Sequence, residues 1–314
     1  MNIHLRHLIS LLTIFACIIT SNIAIAESNS PYLYILGVTQ DAGYPQTGCY
    51  APHCMPGWNN PALRRSATSL ALIDPQANKK YLFEATPNLP EQLYQLEIEA
   101  PSARYPLSGI FLTHAHIGHY AGLMFLGQEA MGAANVPVYA MPRLYDFLQS
   151  NGPWSQLVNY KNIDLLHLQN EKTQTLGQIQ VTPFLVPHRD EYSETVGYRI
   201  SGPNKSALFI PDINKWSAWK TNLADILKTV DYALIDATFY ANGELPGRDM
   251  SKIPHPFVVE SMEALQHLPI EQRNKIWFIH MNHTNPLLNT NSKESELVRS
   301  KGFNIAIEGV RLPL

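Results

Sequence analysis

The stretch that decides the fold is "THAHIGHYAGL", residues 113–123. It carries three histidines, His114, His116 and His119, directly after the apolar run "LSGIFLT". That run predicts a buried strand, so the histidines lie where a strand ends and a helix begins. His114 and His116 are two residues apart, and side chains at that spacing in an extended chain point to the same side. Neutral imidazole is a good ligand for zinc, manganese or iron, so this stretch predicts a metal site.

Three further polar residues follow apolar runs later in the chain. They are His188 in "FLVPHRD", Asp212 in "LFIPDIN" and His280 in "WFIHMNH". One such residue is more often structural, but a series of them at successive strand ends indicates a shared site. His255, in "KIPHPFVVESM", precedes a predicted helix and is a candidate general acid or phosphate-binding group. The alternative for His255 is a surface histidine in a proline-rich turn.

Apolar strands alternate with helical segments along the rest of the chain, which predicts a layered α/β domain. Strands are expected within 32–40, 107–114 and 179–186, and a hairpin is expected within 67–85. The other predicted strands lie near 136–140, 195–200, 206–211, 232–238 and 275–280. Helices are expected at 88–97, 118–131, 143–150, 217–228 and 256–267. Residues 27–314 are interpreted as a single domain because no linker-like segment interrupts them.

These motifs resemble a known family. "THAHIGH" is similar to the T-H-x-H-x-D-H signature of the metallo-β-lactamase superfamily, and the later strand-end residues fall where its other ligand motifs would fall. "LGVTQDAGYPQTGC", "LFEATPNLPEQL", "HPFVVESM" and "FIHMNHTNPLL" resemble the PqqB-type proteins of pyrroloquinoline quinone biosynthesis. A more distant resemblance is to the cyclic phosphodiesterases of phosphonate breakdown. The resemblance implies a four-layer αββα sandwich with the metals at one edge between the sheets.

The resemblance also implies the ligands and the chemistry. It assigns His114, His116 and His188 to a first metal, and His119, Asp212 and His280 to a second, with Asp212 bridging the two. The expected cofactor is one or two Zn²⁺, with Mn²⁺ or Fe²⁺ as alternatives. A metal-bound hydroxide would be the nucleophile, because a bound metal lowers the pKa of water to roughly 7. Asp212 and His255 are the candidate catalytic residues.

The chain departs from the signature at Gly118, where the family has an aspartate ligand for the second metal. Three outcomes are open: weak or absent binding of a second metal, replacement by another carboxylate, or a site for a single metal. Asp41, in "VTQDAGYP", is the candidate replacement, because the loop after the first strand borders the metals in this fold. The alternative is that Asp41 is a turn aspartate.

Two cysteines, Cys49 and Cys54, lie outside the expected metal centre. Related proteins carry a C-x-C-x-x-C cluster here that binds a structural zinc, but its middle position is Ala51 in this chain. His53 and His283 are the candidate replacements, which would give a Cys49, His53, Cys54 and His283 site. The alternative is a disulfide between Cys49 and Cys54, which an oxidising compartment would allow.

The N-terminus has the pattern of a secretory leader. Arg6, the apolar run "LISLLTIFACIIT" and the small residues "AIA" predict a signal peptide over residues 1–26, cleaved after Ala26. The alternative is an uncleaved anchor, for which the apolar run is short. We expect a periplasmic or secreted protein with no membrane contact after cleavage. Loss of Arg6 from the 23 basic and 26 acidic residues leaves a net charge of −4, which argues against a nucleic-acid partner.

The sequence therefore supports three hypotheses. The first is a metal-dependent hydrolase that acts on a small-molecule phosphodiester, lactone or other ester. The second, implied by the PqqB resemblance, is an iron-dependent oxygenase linked to pyrroloquinoline quinone biosynthesis. An exported location fits this one poorly, because maturation of a peptide-derived cofactor is expected in the cytoplasm. The third is a non-catalytic relative, which the retained histidines oppose. The oligomeric state is not indicated.

Overall fold

The structure is a computed structural model that describes residues 29–314. The leader predicted for residues 1–26 lies outside the described residues. Within the described part, no helix has both the length and the apolar character needed to cross a membrane.

Fourteen strands in the described part form two seven-stranded sheets. The first sheet contains, in spatial order, β14 (Arg311–Pro313), β1 (Tyr32–Gly37), β2 (Ser69–Asp74), β3 (Lys79–Phe83), β4 (Leu107–Phe111), β5 (Val136–Ala140) and β6 (Ile163–His167). The second contains β13 (Asn304–Ile305), β12 (Ile276–Ile279), β11 (Tyr232–Asp236), β10 (Ser206–Ile210), β9 (Val196–Ser201), β8 (Ile179–Leu185) and β7 (Gln174–Leu176). Strands β3 to β6 and strands β10 to β13 are parallel within their sheets.

The strands are apolar on both faces because each sheet is covered on both sides. On β2, Leu70 and Leu72 face the space between the sheets, while Ala71 and Ile73 face the helices outside. Successive side chains on a strand point to opposite faces, so this alternation divides the core into two layers. Strands buried in this way read as continuous apolar runs, which is how they appear in the sequence.

The helices lie on the outer faces of the two sheets. The core outside the first sheet includes residues of α2 (Leu89–Glu99), α4 (Pro142–Ser150) and α5 (Trp154–Asn159). The core of the second sheet includes residues of α6 (Leu223–Leu227), α7 (Val258–Leu265) and α9 (Lys293–Ser300). The short helices are α1 (Met55–Asn59), α3 (Ile117–Tyr120) and α8 (Ile270–Arg273). The predicted four-layer αββα sandwich is confirmed.

Two predicted helices are shorter than expected. The segment predicted at 118–131 is α3 followed by a 3₁₀ helix, Ala121–Leu126. The amide of Gly122 donates to Ala85 O at 2.8 Å, so this backbone bonds to the segment that follows β3 instead of continuing an α-helix. The segment predicted at 217–228 starts with a 3₁₀ helix, Trp216–Ala218, and becomes α-helical only at Leu223, where the Asn222 side chain accepts from two amides and caps the helix.

The fold also contains strands and helices that the sequence analysis did not predict. They are β6, β7, β13 and β14, and the helices α1, α5, α8 and α9. Most of them lie at sheet edges or on the surface, where the apolar pattern is weakest. The carboxyl ends of β3 and β4 meet those of β10, β11 and β12 at one edge of the sandwich, and the predicted site residues lie there.

Candidate metal centre

The first of two adjacent clusters contains His114, His116, His188 and Asp212, whose ligand atoms all lie within 4.8 Å of one another. Asp212 Oδ2 is 3.1 Å from His188 Nε2 and 3.3 Å from His114 Nε2. His116 joins through Nδ1, which is 2.8 Å from His114 Nε2 and 3.3 Å from His188 Nε2. Three ring nitrogens and one carboxylate oxygen thus point into a single small volume, and this donor set suits zinc, manganese or iron.

The second cluster contains Asp41, His119 and His280, again with ligand atoms within 4.8 Å of one another. His119 Nε2 is 3.6 Å from Asp41 Oδ1 and 3.8 Å from Asp212 Oδ2. The His119 and His280 rings are stacked, with their centroids 5.2 Å apart. Because Asp212 contacts residues of both clusters, it lies between them.

Several buried polar atoms at this edge have no hydrogen-bond partner among the described residues. They include His119 Nε2, His280 Nε2 and Asp212 Oδ1. Buried polar side-chain atoms are nearly always paired, so such a group calls for an explanation. A cation held between the rings and the carboxylates would satisfy these atoms. These unpartnered atoms and the nitrogen and oxygen ligands around them therefore fit a bound metal.

A carboxylate and a threonine fix the orientation of His114. The Thr113 hydroxyl donates to Glu84 Oε1 at 2.5 Å and lies 2.9 Å from His114 Nδ1. Since the hydroxyl hydrogen is directed at Glu84, its oxygen accepts from the N–H at Nδ1. The proton on Nδ1 leaves His114 Nε2 as a lone pair that faces the cluster, which is the form that binds a metal.

The same arrangement recurs on the second sheet. The Thr238 hydroxyl donates to Asp236 Oδ1 at 2.7 Å and lies 2.9 Å from His280 Nδ1. His280 Nε2 is thereby left as a lone pair directed at the second cluster. Each sheet thus contributes one carboxylate–threonine–histidine relay. The relay of the first sheet is Glu84–Thr113–His114, and that of the second sheet is Asp236–Thr238–His280.

Neither relay was predicted from the sequence. A signal for their carboxylates was present, because "LFEAT" (82–86) and "LIDAT" (234–238) share the pattern of an apolar strand ending in an acid, alanine and threonine. Glu84 and Asp236 are fully buried. A carboxylate in such a place needs several partners. The recurrence of the pattern at two strand ends could have indicated their role.

The remaining rings also have partners on the side away from the cluster. His116 Nε2 is 3.2 Å from Glu191 Oε2, and His188 Nδ1 is 3.3 Å from Asn214 Oδ1. His119 Nδ1 has no hydrogen bond within the described residues, but it lies 3.3 Å from Glu84 Oε1 and forms an ion pair with it. The His116 side chain is 18% exposed whereas the His188 side chain is fully buried, so solvent reaches the first cluster from the His116 side.

His255 is buried beside the clusters, so its interpretation as a surface turn histidine is wrong. Its Nδ1 is 2.8 Å from Asp236 Oδ2 and 3.2 Å from Asp212 Oδ1. Burial lowers the pKa of His255, but the charges of Asp236 and Asp212 outweigh it and raise the pKa to about 9. The ring therefore holds a proton at neutral pH next to Asp212.

Burial and charge also set the protonation of the candidate ligands. Burial lowers the pKa of His114 and of His280, which favours the neutral rings. Burial opposes the charged form of His119 as well, but Glu84 and Asp41 raise its pKa to about 10. A cation at the second cluster therefore has to displace a proton from His119, so binding there releases a proton.

The sequence profile of the family described as "Beta-lactamase superfamily domain" matches residues 79–281, which include most of both clusters. The chain belongs to the beta-lactamase superfamily. The predicted resemblance and the fold that it implied are both confirmed.

Relatives within the superfamily include PqqB proteins. The chain is 25% identical over 305 residues to coenzyme PQQ synthesis protein B from Methylobacterium sp. (strain 4-46), a match that covers 89% of this chain and 99% of that protein. The crystal structure of Zn²⁺-bound PqqB from Methylobacterium extorquens superposes with a TM-score of 0.76 at 22% identity, and covers 90% of this chain and 100% of that one. A diphosphatase from the PhnP family gives a TM-score of 0.62 at 21% identity, with coverage of 90% and 97%. These solved structures share the superfamily fold.

The cysteine group lies apart from the two clusters of this superfamily member. Cys49 and Cys54 form a disulfide, with their Cα atoms 6.0 Å apart. The His53 and His283 rings lie next to each other, with centroids 5.3 Å apart, and the four potential ligand atoms are within 4.8 Å of one another. The structure thus has the disulfide alternative, while the four side chains predicted for a structural zinc are also adjacent.

Proposed function

We propose that the protein is a metal-dependent hydrolase that cleaves a small-molecule phosphodiester, lactone or other ester. The observation that carries the proposal is the convergence of three imidazole-bearing strand ends, those of β4, β8 and β12, on the position of Asp212, while His255 contacts the other oxygen of that carboxylate. A bound divalent cation at such a site activates water and polarises a substrate oxygen. The side chains of this protein would hold the cation and donate a proton to the leaving group.

The histidines and Asp212 would hold the cation, and the relays would keep the ring nitrogens that face it free of protons. His255 would provide the proton for the leaving oxygen. Its three polar contacts, with Asp236, Asp212 and Thr238, all use Nδ1, so Nε2 is the atom that would face the substrate. Asp236 would hold the ring in place through Nδ1 and stabilise its charged form before Nε2 gives up its proton, which leaves the ring neutral.

The rim of the site supports a substrate with an apolar part. Ile117, next to His116, is 69% exposed, and Tyr192, next to Glu191, is 63% exposed. They are the chain neighbours of His116 and Glu191, which contact each other on the side of the first cluster that solvent reaches. The name of one structure with the same fold, a diphosphatase from the PhnP family, makes phosphate esters the first class to test.

The second candidate function is an iron-dependent oxygenase linked to pyrroloquinoline quinone biosynthesis. The support is the match to proteins named coenzyme PQQ synthesis protein B over 89% of this chain. Histidine and carboxylate ligands suit ferrous iron as well as zinc. Oxygen consumption by the iron-loaded protein, with no turnover of any ester, would favour this function over hydrolysis.

We also infer that the protein acts in an oxidising, extracytoplasmic compartment. The leader pattern and the Cys49–Cys54 disulfide support this location, since disulfides persist in oxidising compartments. An exported enzyme fits hydrolysis better than maturation of a cytoplasmic peptide. Fractionation of native cells, with the N-terminus of the protein sequenced, tests both the compartment and cleavage after Ala26.

The experiment that tests the hydrolase proposal combines metal analysis with ester turnover. Metal-free protein is loaded with Zn²⁺, Mn²⁺ or Fe²⁺ and assayed with a chromogenic phosphodiester, a lactone and a carboxyl ester. We expect His114→Ala and His188→Ala to lose most of the bound metal and the activity. Full metal content in either variant would mean that the ligand assignment is wrong.

His255→Asn separates proton donation from metal binding. We expect this variant to keep its metal while kcat falls by roughly 10²- to 10⁴-fold, the usual contribution of a positioned acid. His267→Asn, at an exposed histidine, is the matched control and should be unchanged. Unchanged kcat in His255→Asn would remove this residue from the mechanism.

A further inference from the structure

The position of Gly118 shows why the family aspartate is missing there. A Cβ atom built on Gly118 would lie 2.4 Å from Asp41 Cα and 2.5 Å from Asp41 Oδ1. Distances below about 3 Å do not occur between such atoms without a shift, and the nearest atom here is backbone. Residue 118 can therefore carry no side chain while Asp41 occupies this place.

The backbone holds Asp41 beside His280. The amide of Gln40 donates to Met281 O at 2.8 Å, and the amide of Met281 donates to Val38 O at 2.8 Å. These bonds join the segments that immediately precede Asp41 and follow His280. Asp41 has a φ of 32° and His280 a φ of 66°, conformations that cost energy in residues other than glycine. Such strain is typical of residues that a functional site constrains.

The atoms at this place are those of a cation ligand set. Asp41, His119 and His280 form one cluster, and His119 Nε2 and His280 Nε2 are buried without a hydrogen-bond partner in the described part of the chain. Asp212 Oδ2, 3.8 Å from His119 Nε2, is shared with the first cluster. The Asp41 side chain is 48% exposed, so the carboxylate lies at the mouth of the second cluster.

We propose that Asp41 replaces the missing carboxylate of the second cation position, and that Gly118 is required so that it can do so. The second position then comprises Asp41, His119 and His280 with Asp212 shared, and it takes a divalent cation that accepts nitrogen and oxygen ligands, such as Zn²⁺, Mn²⁺ or Fe²⁺. The proposal rests on the metal-dependent function for the first position, and it does not depend on which reaction the protein catalyses.

Asp41 and a side chain at position 118 exclude each other, and the test uses this exclusion. Four proteins are compared: wild type, Asp41→Asn, Gly118→Asp, and the double variant Asp41→Gly with Gly118→Asp. Cations per chain are measured by mass spectrometry after equilibrium dialysis, and affinities by competition with a chromophoric chelator. Asp164→Asn, at an exposed aspartate, is the matched control for loss of one charge. Circular dichroism establishes that each variant is folded.

We expect two cations per chain in the wild type and in Asp164→Asn. Asp41→Asn should bind the second cation at least about 100-fold more weakly, since loss of a partner outside the ligand set already costs roughly 10- to 100-fold. Gly118→Asp should also lose affinity, because its new side chain meets the Asp41 backbone. The double variant removes this obstacle and should regain at least about 10-fold of the affinity lost in Asp41→Asn.

The other outcomes are distinguishable. Two cations with unchanged affinity in Asp41→Asn would overturn the role of Asp41. One cation in both wild type and Asp41→Asn would overturn the second position while leaving the proposed function intact. No cation in any protein would overturn the metal-dependent function itself. A folded double variant without recovery would overturn the exchange between positions 41 and 118.

Discussion

Replacing Thr238 by valine removes the hydroxyl that joins His280 to Asp236 while nearly keeping the size of the side chain. The Nδ1–H of His280 loses its acceptor in a fully buried place. The ring can then move its proton to Nε2, the atom that faces the second cluster. A cation would have to displace that proton before it could bind.

The other contacts of Asp236 limit the loss of stability in Thr238→Val. Its carboxylate keeps the amides of Ile213 and Thr238, at 3.1 Å and 2.8 Å, and His255 Nδ1 at 2.8 Å. The cost is therefore that of one unsatisfied buried donor, about 1–3 kcal/mol in the free energy of unfolding. For the cation at His280 we expect roughly 10- to 100-fold weaker binding, the usual effect of removing such a partner.

Thr113→Val is the matched change in the other relay. Among the described residues, it leaves the Glu84 carboxylate with one hydrogen bond, from the amide of Thr113 at 3.3 Å, together with the contact to His119. Because the buried Glu84 carboxylate loses its shortest hydrogen bond and keeps fewer partners than Asp236 does, Thr113→Val should destabilise the protein more than Thr238→Val. It should weaken the cation bound through His114, whereas Thr238→Val should weaken the cation bound through His280.

Chelator competition with metal-free protein measures the two binding events, and urea unfolding measures stability. Thr175→Val, at an exposed strand threonine, is the control and should leave both quantities unchanged. If Thr238→Val binds both cations within threefold of the wild type, the relay does not orient His280 and the argument fails. If Thr113→Val and Thr238→Val weaken the binding of the same cation, the two clusters are not separate cation-binding sites.

Two further predictions concern parts of the chain outside the metal centre. Protein that begins at residue 27 should show no thiol reactive with a chromogenic disulfide when denatured without reductant, because Cys49 and Cys54 are bonded; two thiols per chain would contradict the disulfide. Burial raises the pKa of Glu308 from 4.5 to about 7, against the Ser66 amide that lowers it. The folded state then keeps a proton that the unfolded chain has released between these pH values, so stability falls as pH rises through this window and levels off above about pH 7. Glu308→Gln should remove on the order of 2 kcal/mol of this pH dependence in urea unfolding, and an unchanged slope would show that Glu308 is not its source.

The parts of the structure that could be predicted from the sequence are those that depend on short, local sequence patterns. An apolar run that ends in "THAHIGH" places a strand, a turn and a set of imidazoles without any knowledge of distant residues. The strands around it are buried on both faces, so their apolar character is continuous and easy to recognise. The convergence of the later strand ends then follows from the layered architecture.

The parts that were missed depend on contacts between distant segments. Glu84 lies 29 residues from the threonine to which it bonds, and nothing in its neighbourhood specifies that partner. The expected helix at 118–131 was interrupted because its backbone bonds to Ala85. Asp41 was predicted as a candidate ligand, but only the structure shows that its backbone excludes a side chain at Gly118.

The scaffold beneath the site explains how its geometry is set before any cation binds. Phe83 directly precedes Glu84, and its ring stacks on Phe111 with centroids 5.2 Å apart. Tyr198 of the second sheet packs against both rings, and its hydroxyl donates to the carbonyl of Leu112. The strand ends that carry the first relay are thus anchored by an aromatic cluster that spans both sheets. Since packed interiors resist small displacements, this cluster holds Glu84, Thr113 and His114 in place, so the position of the first cluster does not depend on a bound cation.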